Sequence, residues 1–410
     1  MRELTLTLFL VGVVIAVAVR MIDLRTKLLV VEKDAPGIGS VLEPAARALS
    51  RDVAEAGRVG VPPGEAVRPI ADNTSAEDGA GYTDGSGVPV VVRAGTDQIG
   101  LRGVIRTPLL GVRLTNGAEG GTRIPADASS VWLRAGPLSG AGDSSGGDEL
   151  RAVTEGLGAA ARRAKRFFLV ADREGRSAVA LVREWRRPPG PGGALEILLD
   201  FTDAEAVRLN PRGETDAARA LGDPLTGGLL DDIVWFVARG PAGRSPDYDA
   251  VNDPLSMKFP HPFLAVAEFA GNGRWEIAHL GEDVEEFQVA WGLGAPGEEA
   301  TWRGGAAGSP APEARELVDP DGRSRLSALK FAWTAKAEHR FMRGDGPPPP
   351  LESPPLLNAP APGSGRDAGP VGWDPDESRR IPFERESKEF VLNLGDARSR
   401  MLRGEPPRVK

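Results

Sequence analysis

The chain has 410 residues, no cysteine and a formal net charge of −8. The lack of cysteine excludes disulfide bonds, thiolate metal sites and cysteine nucleophiles. The acidic balance argues against general nucleic-acid binding, which needs an excess of Lys and Arg. Because 52 Gly and 36 Pro imply long loops, the length is consistent with one elaborated domain or with two.

The first predicted element is an apolar helix at the amino terminus. The run from Leu4 to Val19 carries no charge and is followed by Arg20. As a helix it spans roughly 24 Å, so it crosses a hydrocarbon core of about 30 Å only if Arg20 reaches the interface. We expect a retained membrane and assembly helix over residues 1–35, rather than a signal peptide cleaved near residues 16–18.

A second, amphipathic helix is predicted over residues 36–58. Ser40 and Glu43 have the spacing of a capping box, and Gly57 supplies a helix stop. Apolar residues recur between them at every third or fourth position; they are Val41, Ala45, Leu49, Val53 and Ala56. This spacing favours a helix that packs on a sheet.

Residues 59–410 show short alternating apolar runs between Gly, Pro, Asn and Asp clusters, which is typical of strands. The connections are too short for repeated helical crossovers, so we expect antiparallel sheet. Strands are predicted at 88–93, 98–105, 131–134, 166–171, 178–185, 194–201, 233–238, 263–269, 275–280, 284–291, 327–337 and 384–394. Helices are predicted at 148–165 and 203–206, and a Pro-rich loop at 344–382.

Short motifs of known enzymes occur in settings that do not suit catalysis. Residues 142–146 match G-x-S-x-G, but they lie in a Gly/Ser/Asp-rich stretch without the strand, turn and helix that this motif requires. Ser327 and Lys330 match S-x-x-K, yet a strand would place them on opposite faces. The three histidines lack metal-ligand spacing. We therefore expect no enzyme, no cofactor and no metal site.

Three segments carry ordered sequence landmarks. Residues 49–57 read Leu-Ser-Arg-Asp-Val-Ala-Glu-Ala-Gly, residues 95–103 read Gly-Thr-Asp-Gln-Ile-Gly-Leu-Arg-Gly, and residues 282–292 read Glu-Asp-Val-Glu-Glu-Phe-Gln-Val-Ala-Trp-Gly. They resemble the end of the long helix, the Gly-Thr-Asp strand and a late strand of PilW-like minor pilins of type IV pili. In the first segment the matching residues are Arg51, Asp52, Ala56 and Gly57.

The resemblance implies an α+β, pilin-like fold, in which a long N-terminal helix packs on an antiparallel β-rich globular domain. It implies a structural minor pilin that is assembled through this helix, at or near the filament tip, for priming or adhesion. Glu3 matches the family's glutamate, whose role is to neutralise a neighbour's amino terminus in the filament. The implied assembly residues are Glu3, Leu4, Leu6, Leu8, Phe9 and Leu10.

The implied partners are other major and minor pilins, the inner membrane before assembly and a surface ligand afterwards; nucleic acid is not expected. The implied location is the inner membrane, single-pass, with the globular domain outside the cytoplasm, and then the cell-surface pilus. The family's basic leader has no counterpart before Glu3, so we expect it upstream of Met1 or expect processing of another kind. A type II secretion minor pseudopilin stays open, as does, from another class, a membrane-tethered periplasmic hydrolase using Ser144 or a binding module.

Overall fold

The structure is a computed structural model that describes the chain in separate ranges. The described residues are 42–58, 61, 63–71, 79–83, 89–93, 96–115, 124, 129–138, 145–158, 165–172, 176–187, 194–210, 221–222, 225–238, 262–282, 284–294, 300–304, 310–318, 324–340 and 383–394. The predicted helix over residues 1–35 and the Pro-rich loop at 344–382 lie outside these ranges.

Helices are short throughout the described ranges. They are α1 (42–55), α2 (Pro63–Ala66), α3 (Ser145–Gly158), α4 (Ala204–Leu209) and a 3-10 helix (Ala314–Leu317). The predicted apolar stripe of α1 is confirmed, since Ala45, Leu49 and Val53 are buried. Arg47 and Arg51 lie on its exposed side.

Strands form the rest of the described elements. They are β1 (Val67–Ala71), β2 (Gly79–Thr83), β3 (Pro89–Val92), β4 (Gln98–Gly103), β5 (Leu110–Leu114), β6 (Ser130–Pro137), β7 (Phe167–Ala171), β8 (Ser177–Arg186), β9 (Leu195–Asp200), β10 (Leu225–Leu229), β11 (Asp231–Ala238), β12 (Phe263–Gly271), β13 (Arg274–Glu282), β14 (Val284–Leu293), β15 (Thr301–Arg303), β16 (Leu326–Arg340) and β17 (Phe383–Asn393).

These strands pair antiparallel in three sheets. The central sheet has seven strands, in the order β1-β4-β11-β12-β13, with β3 pairing both β11 and β2. The barrel is closed, in the order β10-β5-β6-β9-β8-β7, and the C-terminal sheet has the order β15-β14-β16-β17. Only one residue, Leu230, separates β10 from β11, so the barrel leads directly into the central sheet.

The barrel is filled by its own side chains. Along β6, Leu133 and Ala135 point inward and are buried, while Trp132 and Arg134 alternate with them on the outside. The α3 helix adds Leu150, Val153 and Leu157 to the same core. A barrel of few strands has an interior that side chains fill completely, so this core is separate from the main one.

The main core lies between α1, the central sheet and the C-terminal sheet. The α1 helix contributes Leu42 and Leu49, β11 contributes Trp235, and the C-terminal sheet contributes Phe287 and Phe331. The rings of Phe287 and Phe331 stack with centroids 6.0 Å apart. Burial of these large side chains supplies the main stabilising free energy where helix and sheets meet.

The predicted fold class, an α+β protein whose long N-terminal helix packs on a β-rich domain, is wrong for the described chain. The chain is mostly antiparallel β-sheet with a six-stranded closed barrel and short helices. The helix stop predicted at Gly57 is observed, with a φ of +80°, but the described part of this helix begins only at residue 42. Most of the described chain beyond it is strand, because apolar and β-branched residues recur there in short runs. Every strand range predicted above overlaps a strand; β1, β2, β5, β10 and β15 were missed.

The predicted single-pass inner-membrane location is also corrected. Within the described ranges, no helix combines the length and the apolar character that crossing a bilayer demands. The α1 helix fails on both counts, because it is short and one side carries exposed arginines. The uncharged run from Leu4 to Val19 lies outside the described residues.

Candidate functional site

The site residues predicted from the sequence fall into two groups. The assembly residues Glu3, Leu4, Leu6, Leu8, Phe9 and Leu10 lie outside the described residues. The second group, Arg51, Asp52, Ala56 and Gly57, lies at the end of α1 and just beyond it. The structure places this end against β4, in the second landmark segment, and places the start of β4 against β14, in the third. We call these two contacts, of residues 51–57 with residues 96–103 and of residues 96–103 with β14, the landmark junction.

Gly57 joins the end of α1 to β4. Its φ of +80° lies in the left-handed region, which glycine adopts without steric penalty. Its N–H donates to the carbonyl oxygen of Arg102 at 3.0 Å. A Cβ atom at Gly103 would lie 3.0 Å from the Gly57 nitrogen and 3.5 Å from the Cα of Ala56. Two glycines therefore allow the chain after the helix to pass against the strand.

Asp52 is the buried acid of α1. Its side chain is 2% exposed, and the Nη2 atom of Arg51 lies 3.2 Å from its Oδ1 atom. Loss of hydration on burial raises the pKa of Asp52, and the positive charges of Arg106 and Arg51 oppose that rise. Because Arg106 comes from the chain just after β4, this acid links the helix electrostatically to the central sheet.

Asp97 joins the start of β4 to β14. Its backbone N–H donates to the carbonyl oxygen of Phe287 at 2.8 Å, and its Oδ2 atom accepts the N–H of Val289 at 2.7 Å. The residue is 3% exposed. A buried N–H that lacks an acceptor would cost free energy. The second landmark is thus fastened to the third by both backbone and side chain.

A buried ion-pair network continues from the junction into the central sheet. Arg102, in β4, lies opposite Asp232, in β11, and its Nη2 atom is 2.8 Å from an Asp232 oxygen. Its Nη1 atom lies 3.0 Å from an oxygen of Glu65, in α2. Arg68, in β1, also pairs with Asp232. The side chain of Arg102 therefore joins the central sheet to α2.

Asp231 is the most perturbed acid of this region. Its Oδ2 atom accepts the N–H groups of Ile105 and Arg106 at 2.9 and 2.8 Å. Burial, reinforced by the negative charge of Glu268, raises the pKa of Asp231 to about 7. Arg106 also pairs with Glu268, at 2.7 Å. The sequence analysis missed this network, although two adjacent acids at the start of the apolar run 231–238 are a detectable signal.

The enzyme-like motifs are not brought together for catalysis where the structure describes them. The Oγ atom of Ser327 donates to the carbonyl oxygen of Gly292 at 3.0 Å. Lys330 instead pairs with Glu389 at 2.6 Å. Ser144 lies outside the described residues. Among the residues that are described, no group of three or more His, Asp or Glu side chains is placed to hold a metal ion.

Comparison with known proteins gives one distant similarity. No family model matches the chain, and no curated protein does. Among solved structures, it is similar to the type IV-like pilin TTHA1219 from Thermus thermophilus, with 15% sequence identity and a TM-score of 0.19. The match covers 61% of this chain and 97% of that one.

Removing the Asp97 carboxylate should destabilise the protein. In Asp97→Ala the buried N–H of Val289 loses the acceptor that lies 2.7 Å away, so the free energy of unfolding should fall by about 2 kcal/mol. Asp97→Asn retains an oxygen acceptor and should lose less. Urea denaturation followed by tryptophan fluorescence measures both, and an alanine variant as stable as the wild type would contradict this role.

Stability should depend on pH through Asp231. Its pKa is raised from 3.8 when unfolded to about 7 when folded, so between these values the folded protein holds a proton that the unfolded chain has lost. The stability contributed by this group is present below the unfolded pKa and is lost as pH rises toward the folded one. Denaturation measured from pH 4 to 8 should therefore show a decrease that Asp231→Asn flattens.

Asp200 is the matched control for this pH dependence. Burial alone would raise its pKa, but hydrogen bonds from Thr202 and Arg183 outweigh that effect and lower the pKa. Its contribution therefore has the opposite sign: it is present above pH 3.8 and is lost on acidification. Asp200→Asn should leave the decrease between pH 4 and 7 intact. If Asp231→Asn also leaves it intact, another group causes it.

Proposed function

We propose that the protein is a structural, non-enzymatic subunit of a type IV pilus filament, a minor pilin of the PilW-like kind. In this proposal it assembles with other major and minor pilins, at or near the filament tip, where it serves priming or adhesion. The observation that best supports it is the landmark junction. Three segments far apart in the sequence, each of which resembles a part of that family's sequence, are joined there.

The junction supports the resemblance because the matched residues have structural roles there that few other residue types can fill. Gly57 takes a left-handed backbone conformation against β4, which L-residues with a side chain adopt only with strain. Asp97 presents a buried carboxylate to the backbone of β14. If the three short patterns matched by chance, there would be no reason to expect hydrogen bonds between the three segments in the fold.

The non-enzymatic part of the proposal is supported by how the buried charges are used. Arg102 is engaged with Glu65 and Asp232, and Asp97 is engaged with the backbone of β14. A general acid or base must come within hydrogen-bond reach of a substrate proton. Buried groups held by ion pairs and backbone N–H groups are placed for stability instead.

Fastening of α1 also suits a filament subunit. In a filament held together by amino-terminal segments, a force on the chain before α1 must reach the β-rich part without unfolding the connection. Leu42 and Leu49 are buried in the main core, and the Gly57 hydrogen bond closes the end of the helix on β4. We assign the contacts between subunits to Glu3 and the apolar residues that follow it.

Mass spectrometry of filaments sheared from producing cells tests the proposal. The wild-type protein should be present in the filament fraction, and Glu3→Ala should reduce it about tenfold or more, because an amino terminus in an apolar bundle then loses its counter-charge. Glu184→Ala is the matched control, since Glu184 is an exposed acid of β8. It should be incorporated normally.

Two results would contradict the proposal: absence of the wild-type protein from filaments, or equal incorporation of both variants.

Deletion of the gene distinguishes a minor pilin of a type IV pilus from a pseudopilin of a type II secretion system. Loss of surface filaments with secretion unchanged supports the minor pilin. Loss of secretion with filaments unchanged would support the pseudopilin.

A further inference from the structure

A row of charged side chains crosses the outside of the barrel. Arg113 of β5 lies directly opposite Arg134 of β6, Arg134 lies opposite Glu196 of β9, and Glu196 lies opposite Arg186 of β8. The inward neighbours of these residues include Val112, Leu133 and Ile197, which are buried. The row therefore faces outward across four adjacent strands, and we call it the arginine row.

Positive charge exceeds negative charge at one end of the arginine row. Its single carboxylate, Glu196, pairs with Arg186 at 2.7 Å. Arg113 and Arg134 are both exposed, and neither forms an ion pair with any residue that the structure describes. Like charges directly opposite each other on paired strands are destabilising. The folded barrel thus carries two neighbouring guanidinium groups at a cost in stability, without a described partner that neutralises them.

An aromatic ring orders the other end of the row. The guanidinium carbon of Arg186 lies 4.6 Å from the ring centroid of Trp132, which is within the range of a cation-π contact. Trp132 is two residues before Arg134, so both lie on the outer face of β6. Arg186 is therefore held by Trp132 and Glu196, whereas Arg113 and Arg134 remain available.

We propose that the outer face of the barrel around Arg113 and Arg134 is a docking surface for an acidic polypeptide segment of a partner protein. Guanidinium groups bind carboxylates through two parallel hydrogen bonds. Cβ atoms of directly opposed residues lie about 5 Å apart, so the two arginines can bind neighbouring acidic side chains of one segment. Binding would also remove the repulsion between them.

An acidic polypeptide fits this surface better than a nucleic acid does. The chain has a net charge of −8, which disfavours the approach of a long polyanion. One face of Trp132 is occupied by Arg186, so the ring offers less of a platform for stacked bases. Glu184, exposed and in register with Leu198 of the same outer face, would repel a phosphate backbone that continues past the two arginines, whereas a short acidic segment need not reach it.

A short fluorescein-labelled oligoglutamate peptide, titrated with the full chain at low ionic strength and followed by anisotropy, tests the proposal. The wild type should bind, and Arg113→Gln or Arg134→Gln should each weaken binding about tenfold. Arg274→Gln is the matched control, because Arg274 is an exposed strand arginine in β13. It removes the same charge elsewhere and should leave binding unchanged.

Thermal denaturation of the free protein gives a second, independent readout. Arg113→Gln removes the repulsion with Arg134, so the Tm of this variant should rise by about 2 °C. A cooperative transition in the same measurement shows that the variant folds. Failure of the wild type to bind the oligoglutamate peptide would overturn the proposal, as would equal loss of binding in Arg274→Gln. Tighter binding of oligothymidylate with the same arginine dependence would replace the acidic polypeptide by a nucleic acid.

Discussion

The carboxylate of Asp97 connects the central sheet to the C-terminal sheet, and the main core depends on that connection. Its bond to the N–H of Val289 is buried and 2.7 Å long. The backbone bond from Asp97 to Phe287 beside it holds β14 in place, and Phe287 shares the main core with Trp235 of β11 and Phe331 of β16. The apolar stripe of α1 is buried because both sheets stand next to it. An acid with no partner at this position would be costly, so its hydrogen bonds and the packing of the core require each other.

The barrel divides its two faces between stability and recognition. Its inner face and α3 form a separate core. On the outer face, β7 and β8 pack into the main core through Phe167, Leu169, Val179 and Leu181, whereas the outward residues Arg113 of β5 and Arg134 of β6 belong to neither core. That part of the outer face can therefore carry Arg113 and Arg134 opposite each other, an arrangement that a surface selected only for stability would avoid. At the landmark junction charges are buried and bonded, whereas in the arginine row they are exposed. The first arrangement holds the fold together and the second suits a partner.

Sequence patterns predicted the long strands well because their signal is local. The run Asp-Asp-Ile-Val-Trp-Phe-Val-Ala of β11 has the residue types of a buried strand. In contrast, β10 reads Leu-Thr-Gly-Gly-Leu and has low strand propensity, yet a Cβ at Gly227 would lie 2.7 Å from the Leu169 carbonyl oxygen, so close packing requires glycine there. Barrel closure depends on this strand, and its pairing with β7 joins residues far apart in sequence.

The family resemblance identified Gly57 and Asp97 within landmark segments, but not their contacts, and the pairing of Arg102 with Asp232 has no local signature. The predicted fold class was wrong because the closure of six strands into a barrel has no local signal in the sequence, and because the long helix depended on residues 1–35, which lie outside the described ranges.

The account rests on α1, β4 and β14 behaving as one cooperative unit at the landmark junction. Native-state hydrogen exchange at the amides of Gly57, Asp97 and Val289 tests this most directly, since each donates a hydrogen bond within the junction. We predict that the three amides open with the same free energy as the core amides of β11, which is the behaviour of a single unfolding unit. Exchange of Gly57 and the α1 amides at a distinctly lower free energy, with Asp97 and Val289 still protected, would contradict the account.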